Sequence, residues 1–182
     1  MLSTSYPRDS ADWKGTFIRN MVEVLANNES VKLSVWQPPG EVAPDVRECM
    51  SPSDSDWLLR LMDSGGIAHQ LRTQPIKGVI SGARLIRRMR NACLRESDSD
   101  IWHANWLQNV LATPSDKKGL VTTALGTDLS LLKIPGLVGQ LRKKFRNRKT
   151  FFKEYKIIEK KHIAGKGYTR IVIHNPEKKI ID

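Results

Sequence analysis

The order of two kinds of segment along the chain is the strongest constraint on its fold. Residues 2–5 and 31–36 have the composition of strands, and residues 16–26 between them have the periodicity of a helix. The apolar side chains at helical spacing in this helix are Phe17, Met21, Val24 and Leu25. A strand, a helix and a strand within 36 residues are typical of a βαβ unit, whose two strands run parallel.

The same alternation continues to about residue 145. The further predicted strands cover residues 101–103 and 120–124, and the further predicted helices cover residues 57–62, 77–95 and 135–145. The pattern therefore predicts a Rossmann-like three-layer α/β domain with a mainly parallel sheet over residues 1–150. In such sheets, ligands bind at the carboxyl ends of the strands.

The helix predicted over residues 77–95 has two chemically different sides. On a helical projection, one side carries Val79, Ile86, Met89 and Cys93, and the other carries Arg84, Arg87, Arg88 and Arg95. We therefore expect the apolar side to face the core and the arginine side to face solvent.

Net charge is distributed unevenly. Residues 1–141 contain 16 basic and 15 acidic residues, whereas residues 142–182 contain 14 basic and 4 acidic residues. Apolar and basic residues alternate over residues 155–163 and 168–174, which predicts a β-hairpin. We therefore assign residues 151–182 to a basic, hairpin-like tail, whose charge suits an anionic partner.

Several classes of protein are excluded or disfavoured. No run approaches the ~20 apolar residues of a transmembrane helix, and the start of the chain lacks the pattern of a secretion signal. Cys49 and Cys93 are the only cysteines and are not in a CxxC spacing, which disfavours a disulfide scaffold and fits a reducing cytoplasm. The four histidines lack the spacing of metal ligands, and the common nucleophile and nucleotide motifs are missing, so we expect no metal and no cofactor.

Three loop residues are candidates for binding, and each has two interpretations. Gly15 lies before a helix, where a glycine lets a phosphate approach the helix N-terminus, or it is a plain turn glycine. His103 lies at a strand end between two tryptophans, where it would hydrogen-bond a sugar hydroxyl or pack in the core. Asp128 would orient a substrate hydroxyl or cap the next helix.

Four short segments near predicted strand ends carry a more specific signal together. They are S-T-S-Y-P (3–7), W-K-G-T-F-I (13–18), D-I-W-H-A-N-W (100–106) and T-A-L-G-T-D-L (123–129). In this order they resemble the N-terminal domain of family 4 GT-B glycosyltransferases. That family has a T-S-Y-P-like strand end, a glycine loop, a D-[VI]-[IV]-H-A-H-W-like segment and a T-x-H-G-[ST]-D-L-like segment. The resemblance covers residues 1–150.

The resemblance implies a retaining transferase of two domains. The N-terminal half takes the acceptor, and the C-terminal half binds a nucleotide sugar. By position, Gly15 would face the donor diphosphate. The residues that would line the acceptor side of the cleft are His103, Asn105, Gly126, Thr127 and Asp128.

The sequence also departs from the family pattern. Asn105 and Leu125 stand where the family has histidines, and a leucine cannot donate a hydrogen bond to a sugar hydroxyl. The E-x7-E segment of the donor domain has no counterpart in these 182 residues. We therefore expect a truncated, acceptor-side half that transfers a hexosyl group to a glycan or lipid-linked acceptor only with a second domain or chain.

A non-enzymatic binding module is the alternative function. The basic tail would attract phosphates of nucleic acid or of a membrane surface, although it has no nucleic-acid-binding signature, so nucleic acid is the less favoured partner. Residues 135–149 combine an apolar stripe with basic residues, which suits peripheral contact with the inner face of the membrane. The competing interpretation is a helix packed on the sheet with a basic outer side.

Overall fold

The chain divides into two compact units, Met1–Arg148 and Lys149–Asp182. The computed structural model describes residues 1–115, 118–124 and 131–146, and the backbone of residues 156–163 and 168–174. The helices are α1 (Thr16–Ala26), α2 (Pro52–Asp63), α3 (Gly66–Thr73), α4 (Pro75–Arg95), a 3-10 helix (Leu107–Ala112) and α5 (Leu137–Arg146). The strands are β1 (Ser34–Val35), β2 (Arg47–Glu48), β3 (Ile101–Asn105), β4 (Gly119–Thr123), β5 (Lys156–Ile163) and β6 (Tyr168–His174).

The strands of the first unit run parallel. β1 pairs with β2, and β3 pairs with β4. Leu2 connects the two pairs, because its N–H donates to His103 O at 2.7 Å and its carbonyl accepts from Asn105 N at 3.0 Å. On the other side, Ser3 N donates to Trp36 O at 2.9 Å. The order across these elements is therefore β2, β1, the segment at Leu2, β3 and β4, and the predicted mixed α/β unit with parallel strands is confirmed.

Two apolar clusters lie on opposite sides of these strands, because successive side chains of a strand point to opposite faces. On one face, Leu2, Trp36 and Trp102 pack with α2 and α4. On the other face, Val35 packs with Ile18 and Val22 of α1. We call these sides the α4 face and the α1 face.

The predicted bounds match α1, but the apolar residues that mark its periodicity are not the residues that are most buried. Ile18 and Val22 are buried, whereas Phe17 is 45% exposed and Val24 is 72% exposed. Apolar residues occur on two overlapping stripes of this helix, and contact with Val35 selects the stripe that periodicity alone did not identify.

The start of α2 is held by a buried carboxylate. Ser51 and Asp54 form a capping box in which the Ser51 hydroxyl accepts from Asp54 N and the Asp54 carboxylate accepts from Ser51 N. Asp54 also pairs with Arg88 of α4 and lies 3.8 Å from Arg95. Burial raises the pKa of Asp54, but the hydrogen bonds from Arg88 and Ser51 outweigh burial, and the net pKa lies below its ordinary value.

The arginine side of α4 is only partly in solvent. The guanidinium carbons of Arg84 and Arg88 lie 5.6 and 5.2 Å from the ring centre of Trp57, which is buried. Met89 and Cys93 face the core as predicted, but Val79 is 64% exposed, which contradicts its expected place on the core side. At this end of α4 it is Gly78 that faces inward, and a Cβ there would lie 2.7 Å from Leu71 N of α3.

Of the remaining elements, α3 and β2 were not predicted, because each is short and its apolar pattern is weak. Within the described part of the chain, no helix has both the length and the apolar composition needed to cross a bilayer. In the second unit, β5 and β6 pair antiparallel, with Lys156 opposite His174 and Ile163 opposite Tyr168. The predicted hairpin strands are therefore confirmed, while the predicted loop over residues 164–167 lies outside the described residues.

We predict that Asp54→Asn lowers the free energy of unfolding by about 3 kcal/mol, because it leaves the partly buried Arg88 without its counter-charge. Urea denaturation measures the change. Asp56→Asn is the matched control, since Asp56 is exposed on the same helix, and it should change stability by less than about 0.5 kcal/mol. Equal effects of the two substitutions would contradict a stabilising role for the Asp54–Arg88 pair.

Candidate functional site

The candidate site lies at the carboxyl ends of the parallel strands. From the segment at Leu2 the chain passes to β1 and β2 on one side, whereas β3 is followed by β4 on the other side. The boundary between the segment at Leu2 and β3 is therefore the point where the strand order reverses. Ligands of open α/β sheets bind beside such a point, outside the carboxyl ends of the strands.

A row of polar side chains crosses this boundary. Leu2 is the register neighbour of both Trp36 and Ala104, and the side chains of Leu2 and Trp36 lie on the α4 face. The next residue on each strand therefore points to the α1 face, and the three lie side by side. These residues, which we call the polar row, are Gln37, Ser3 and Asn105. Each is at most 1% exposed.

The two amides of the polar row are not satisfied. Ser3 Oγ donates to Ser5 O at 2.6 Å, so the hydroxyl has a partner. For Gln37 and Asn105, neither the amide oxygen nor the amide nitrogen has a hydrogen-bond partner among the described residues. Leaving a buried polar group unpaired costs about 1–3 kcal/mol, so such atoms are normally satisfied by water or by a ligand. The row thus offers unused donors and acceptors at the switch point.

His103 lies next to the polar row on the same face of β3. Its Nε2 is 3.1 Å from Oγ1 of Thr123, the residue that pairs in register with Asn105. The pKa of His103 is lowered to about 4, mainly by burial and to a smaller extent by the positive charge of the chain's amino group. His103 is therefore neutral at pH 7, with one ring nitrogen as donor and the other as acceptor.

Aromatic side chains lie beside these polar groups. The rings of Phe17 and Trp106 meet edge to face with centroids 6.0 Å apart. Trp106 follows β3 with a φ of 67°, and it is the one non-glycine among the described residues in the left-handed region. Its N–H donates to Thr123 O at 2.9 Å, which holds the loop against β4. Backbone strain of this kind clusters at functional sites.

Gly15 is required by local packing. It is the N-cap of α1 with a φ of 78°, and a Cβ there would lie 2.7 Å from Ser5 Oγ and 2.9 Å from Tyr6 N. Gly15 is therefore packed against the residues that follow the first strand. Contact of Gly15 with a donor diphosphate stays a prediction.

The sequence-predicted site residues are only partly described. His103 and Asn105 lie on β3, and Gly15 begins the helix that packs on the same face. Gly126, Thr127 and Asp128, together with Leu125, lie outside the described residues. Sequence reasoning missed Gln37, because a single glutamine after a strand carries no local signal. It did not predict the positive φ of Trp106, although it placed this residue after the end of a strand.

Comparisons of the chain with protein-family models, with curated proteins and with solved structures find no match. In the part of the chain that the structure describes, no three His, Cys, Asp or Glu side chains are grouped closely enough to hold a metal ion. The described groups of the site that can contact a ligand are two amides, a neutral imidazole and two aromatic rings.

We predict that Asn105→Leu raises the free energy of unfolding by about 1 kcal/mol, because it removes an amide that is buried and has no partner among the described residues, and it keeps the branched shape of the side chain. Denaturant unfolding of the ligand-free protein measures this change. Gln37→Met should act in the same direction for the same reason. Gln140→Met, at an exposed position of α5, is the control and should be neutral within about 0.5 kcal/mol. A loss of stability in both core variants would mean that the amides serve the fold.

A second prediction concerns pH. An unfolded histidine titrates near pH 6.5 and folded His103 near pH 4, so between these values the unfolded state binds more protons and stability falls as the pH is lowered. Between pH 7 and pH 5 the wild-type protein should lose about 2 kcal/mol more than His103→Gln. Denaturation curves at the two pH values measure the difference. His69→Gln, at an exposed position, is the control and should follow the wild type.

Proposed function

We propose that the unit Met1–Arg148 is the acceptor-side half of a glycosyltransferase. It binds a hydroxyl-rich acceptor, a glycan or a lipid-linked sugar, at the polar row, and a second domain or chain supplies the nucleotide sugar. The observation that carries the proposal is the pair of buried, unpaired amides of Gln37 and Asn105 at the switch point of the parallel strands.

The chemistry of the described residues suits this ligand class. A sugar hydroxyl donates one hydrogen bond and accepts others, and an amide side chain offers both a donor and an acceptor to it. Neutral His103 does the same with its two ring nitrogens. Phe17 and Trp106 add aromatic surface beside the polar groups, which is the usual lining of small-molecule sites.

Access to the amides needs a movement, since Gln37 and Asn105 are closed to solvent. We assign this movement to residues 8–14, between the end of the first strand and α1. Most side chains of this loop are exposed, Trp13 to 80%. The carboxylates of Asp9 and Asp12 accept hydrogen bonds from nearby backbone N–H groups. The loop also has longer-range contacts, because the Arg8 and Asp9 carbonyls accept from Glu41 N at 3.2 Å and from the Arg19 side chain at 3.1 Å, and Arg8 lies 3.7 Å from Asp63.

We further infer that this unit has the Rossmann-like three-layer arrangement. The strand order β2, β1, Leu2 segment, β3 and β4 supports it, because numbering those strands along the chain gives 3-2-1-4-5, the order of dinucleotide-binding sheets. The placement of α1 on one face and of α2 and α4 on the other also supports it.

The proposal assigns no transfer to this chain alone. Transfer requires that the donor diphosphate be held, that its leaving charge be stabilised and that its anomeric carbon be placed against the acceptor. Leu125 stands at the position where the resembled family has a histidine beside the reacting sugar, and Gly15 is packed against Ser5 and Tyr6. We infer a reducing, cytoplasmic setting, which the free cysteines Cys49 and Cys93 support.

An anion-binding module is the second candidate function, favoured by the 14 basic and 4 acidic residues of positions 142–182. The membrane contact predicted for residues 135–149 cannot use the apolar side of α5, because that side packs within the first unit. Leu141 is 5% exposed, and Leu137 and Phe145 pack with Ala104 and the 3-10 helix. The exposed basic residues of α5 are Arg142, Lys143 and Arg146. Such a contact would therefore be electrostatic and would weaken steeply with salt.

Saturation-transfer NMR tests the first function with four probes: maltotriose, mannotriose, UDP-glucose and GDP-mannose. We expect weak binding of at least one oligosaccharide, lost in Asn105→Leu because the amide partners of the hydroxyls are gone, and retained in the exposed control Asn91→Leu. We expect no tight binding of either nucleotide sugar.

Two results would contradict the proposal. Tight binding of a nucleotide sugar by this chain alone, lost on His103→Ala, would indicate a complete small enzyme. Oligosaccharide binding that survives both Asn105→Leu and Gln37→Met would place the sugar elsewhere on the molecule.

A further inference from the structure

Aliphatic side chains in the first turns of α4 are exposed to solvent. Ile76 is 79% exposed, Val79 is 64% exposed and Ile80 is 62% exposed. Their spacing of three and four residues places them on one side of the helix. Ile76 and Ile80, with Pro75, also line a shallow apolar groove on the surface. The opposite side of α4 is the core side, where Leu85 and Met89 are buried.

The charge around this patch has one sign. Residues 64–95 contain seven basic residues and no acidic residue. Three of the seven, Arg84, Arg88 and Arg95, are engaged with Trp57 or Asp54. The other four have no acidic partner among the described residues and are exposed. They are Arg72, Lys77, Arg87 and Arg90.

Helical geometry places two of these cations, Lys77 and Arg87, beside the aliphatic patch. Lys77 lies next to Ile76 in sequence and flanks the patch. Arg87 follows Ile80 by seven residues, which is two turns and about 10 Å along the same side of the helix. The exposed side of α4 is therefore apolar over its first turns and cationic beyond them.

We propose that this side of α4 docks on a bilayer that carries anionic lipids. The aliphatic patch enters the boundary between headgroups and acyl chains, and Lys77, Arg87 and Arg90 bind lipid phosphates. This is the composition of interfacial helices: exposed aliphatic residues with Lys and Arg and without acidic residues. The proposal does not depend on the acceptor site, which lies at the strand ends, or on α5.

Two other macromolecular partners fit less well. Protein interfaces are enriched in aromatic residues, methionine and arginine and are depleted in lysine. The exposed side of α4 between Ile76 and Leu94 has arginines and Lys77 but no aromatic residue and no exposed methionine. Single-stranded nucleic acid is bound by aromatic rings on which bases stack, and this side offers none. Aliphatic side chains with flanking cations match a lipid surface instead.

Vesicle sedimentation of the full chain tests the proposal, with phosphatidylcholine vesicles that contain 30% phosphatidylglycerol. Lys77→Gln/Arg87→Gln should weaken binding about 25-fold, since each cation near an anionic surface contributes about five-fold. Ile76→Ser/Ile80→Ser should weaken it at least ten-fold. Val24→Ser is the apolar control, because Val24 is 72% exposed on α1, and Arg142→Gln/Lys143→Gln is the charge control on α5.

Controls that weaken binding as much as the α4 variants would overturn the proposal, because the charged tail or α5 would then carry the contact. All substituted positions are exposed, so circular dichroism should be unchanged.

The depth of insertion gives a second, independent readout. An environment-sensitive fluorophore is attached to the cysteine of Val79→Cys, and Val24→Cys is the control. Burial raises the pKa of the native Cys49 and Cys93 thiols, which disfavours their labelling. We expect a blue shift, and quenching by lipids spin-labelled in the acyl chain, at position 79 only. Absence of a shift at position 79 in bound protein would overturn the proposal. So would a shift that needs no vesicles and rises with protein concentration, because it would indicate a second copy of the chain as the partner.

Discussion

The backbone hydrogen bonds of Leu2 are the interaction on which the first unit depends. Without them, β1–β2 and β3–β4 would be two separate strand pairs. Leu2 is 3% exposed and packs in the same cluster as Trp36 and Trp102, so the backbone link and the apolar core form at one point. A two-stranded sheet is marginal alone, whereas a sheet of several strands with helices on its faces buries a core.

The same link sets the position of the candidate site. The backbone pairing of Leu2 sets the register of the first strand against both neighbouring strands. This register places Ser3 between Gln37 and Asn105, and it does not depend on contacts between their side chains. The row is polar, whereas buried rows of a sheet are normally apolar, and its two amides have no hydrogen-bond partner among the residues that the structure describes. A fold optimised only for stability would not place them there. That conflict is the strongest physical reason to regard this edge as functional.

The sequence predicted most of the local structure, but it predicted neither the short elements α3 and β2 nor the contacts between distant segments. The bounds of α1 follow from periodicity and a preceding glycine, and β3 and β4 follow from apolar runs. Which stripe of α1 is buried depends on Val35, and whether Arg88 is solvated depends on Asp54, 34 residues away. For the site, His103 and Asn105 were predicted through a resemblance. Gln37 was not, because its significance arises only from the register with Ser3.

The place of Leu2 in the chain also has a consequence for folding. The strand at Leu2 is synthesised before both of its neighbours, and one of them, β3, is about 100 residues away in sequence. At a synthesis rate of about 5–20 residues per second, the N-terminal segment waits roughly 5–20 s for that neighbour. During this interval one edge of the first strand is open, and the Trp36 and Leu2 side chains lack the cover of Trp102. Pairing of Leu2 with β3 closes a loop of about 100 residues, and such non-local pairing has an entropic cost and slows folding.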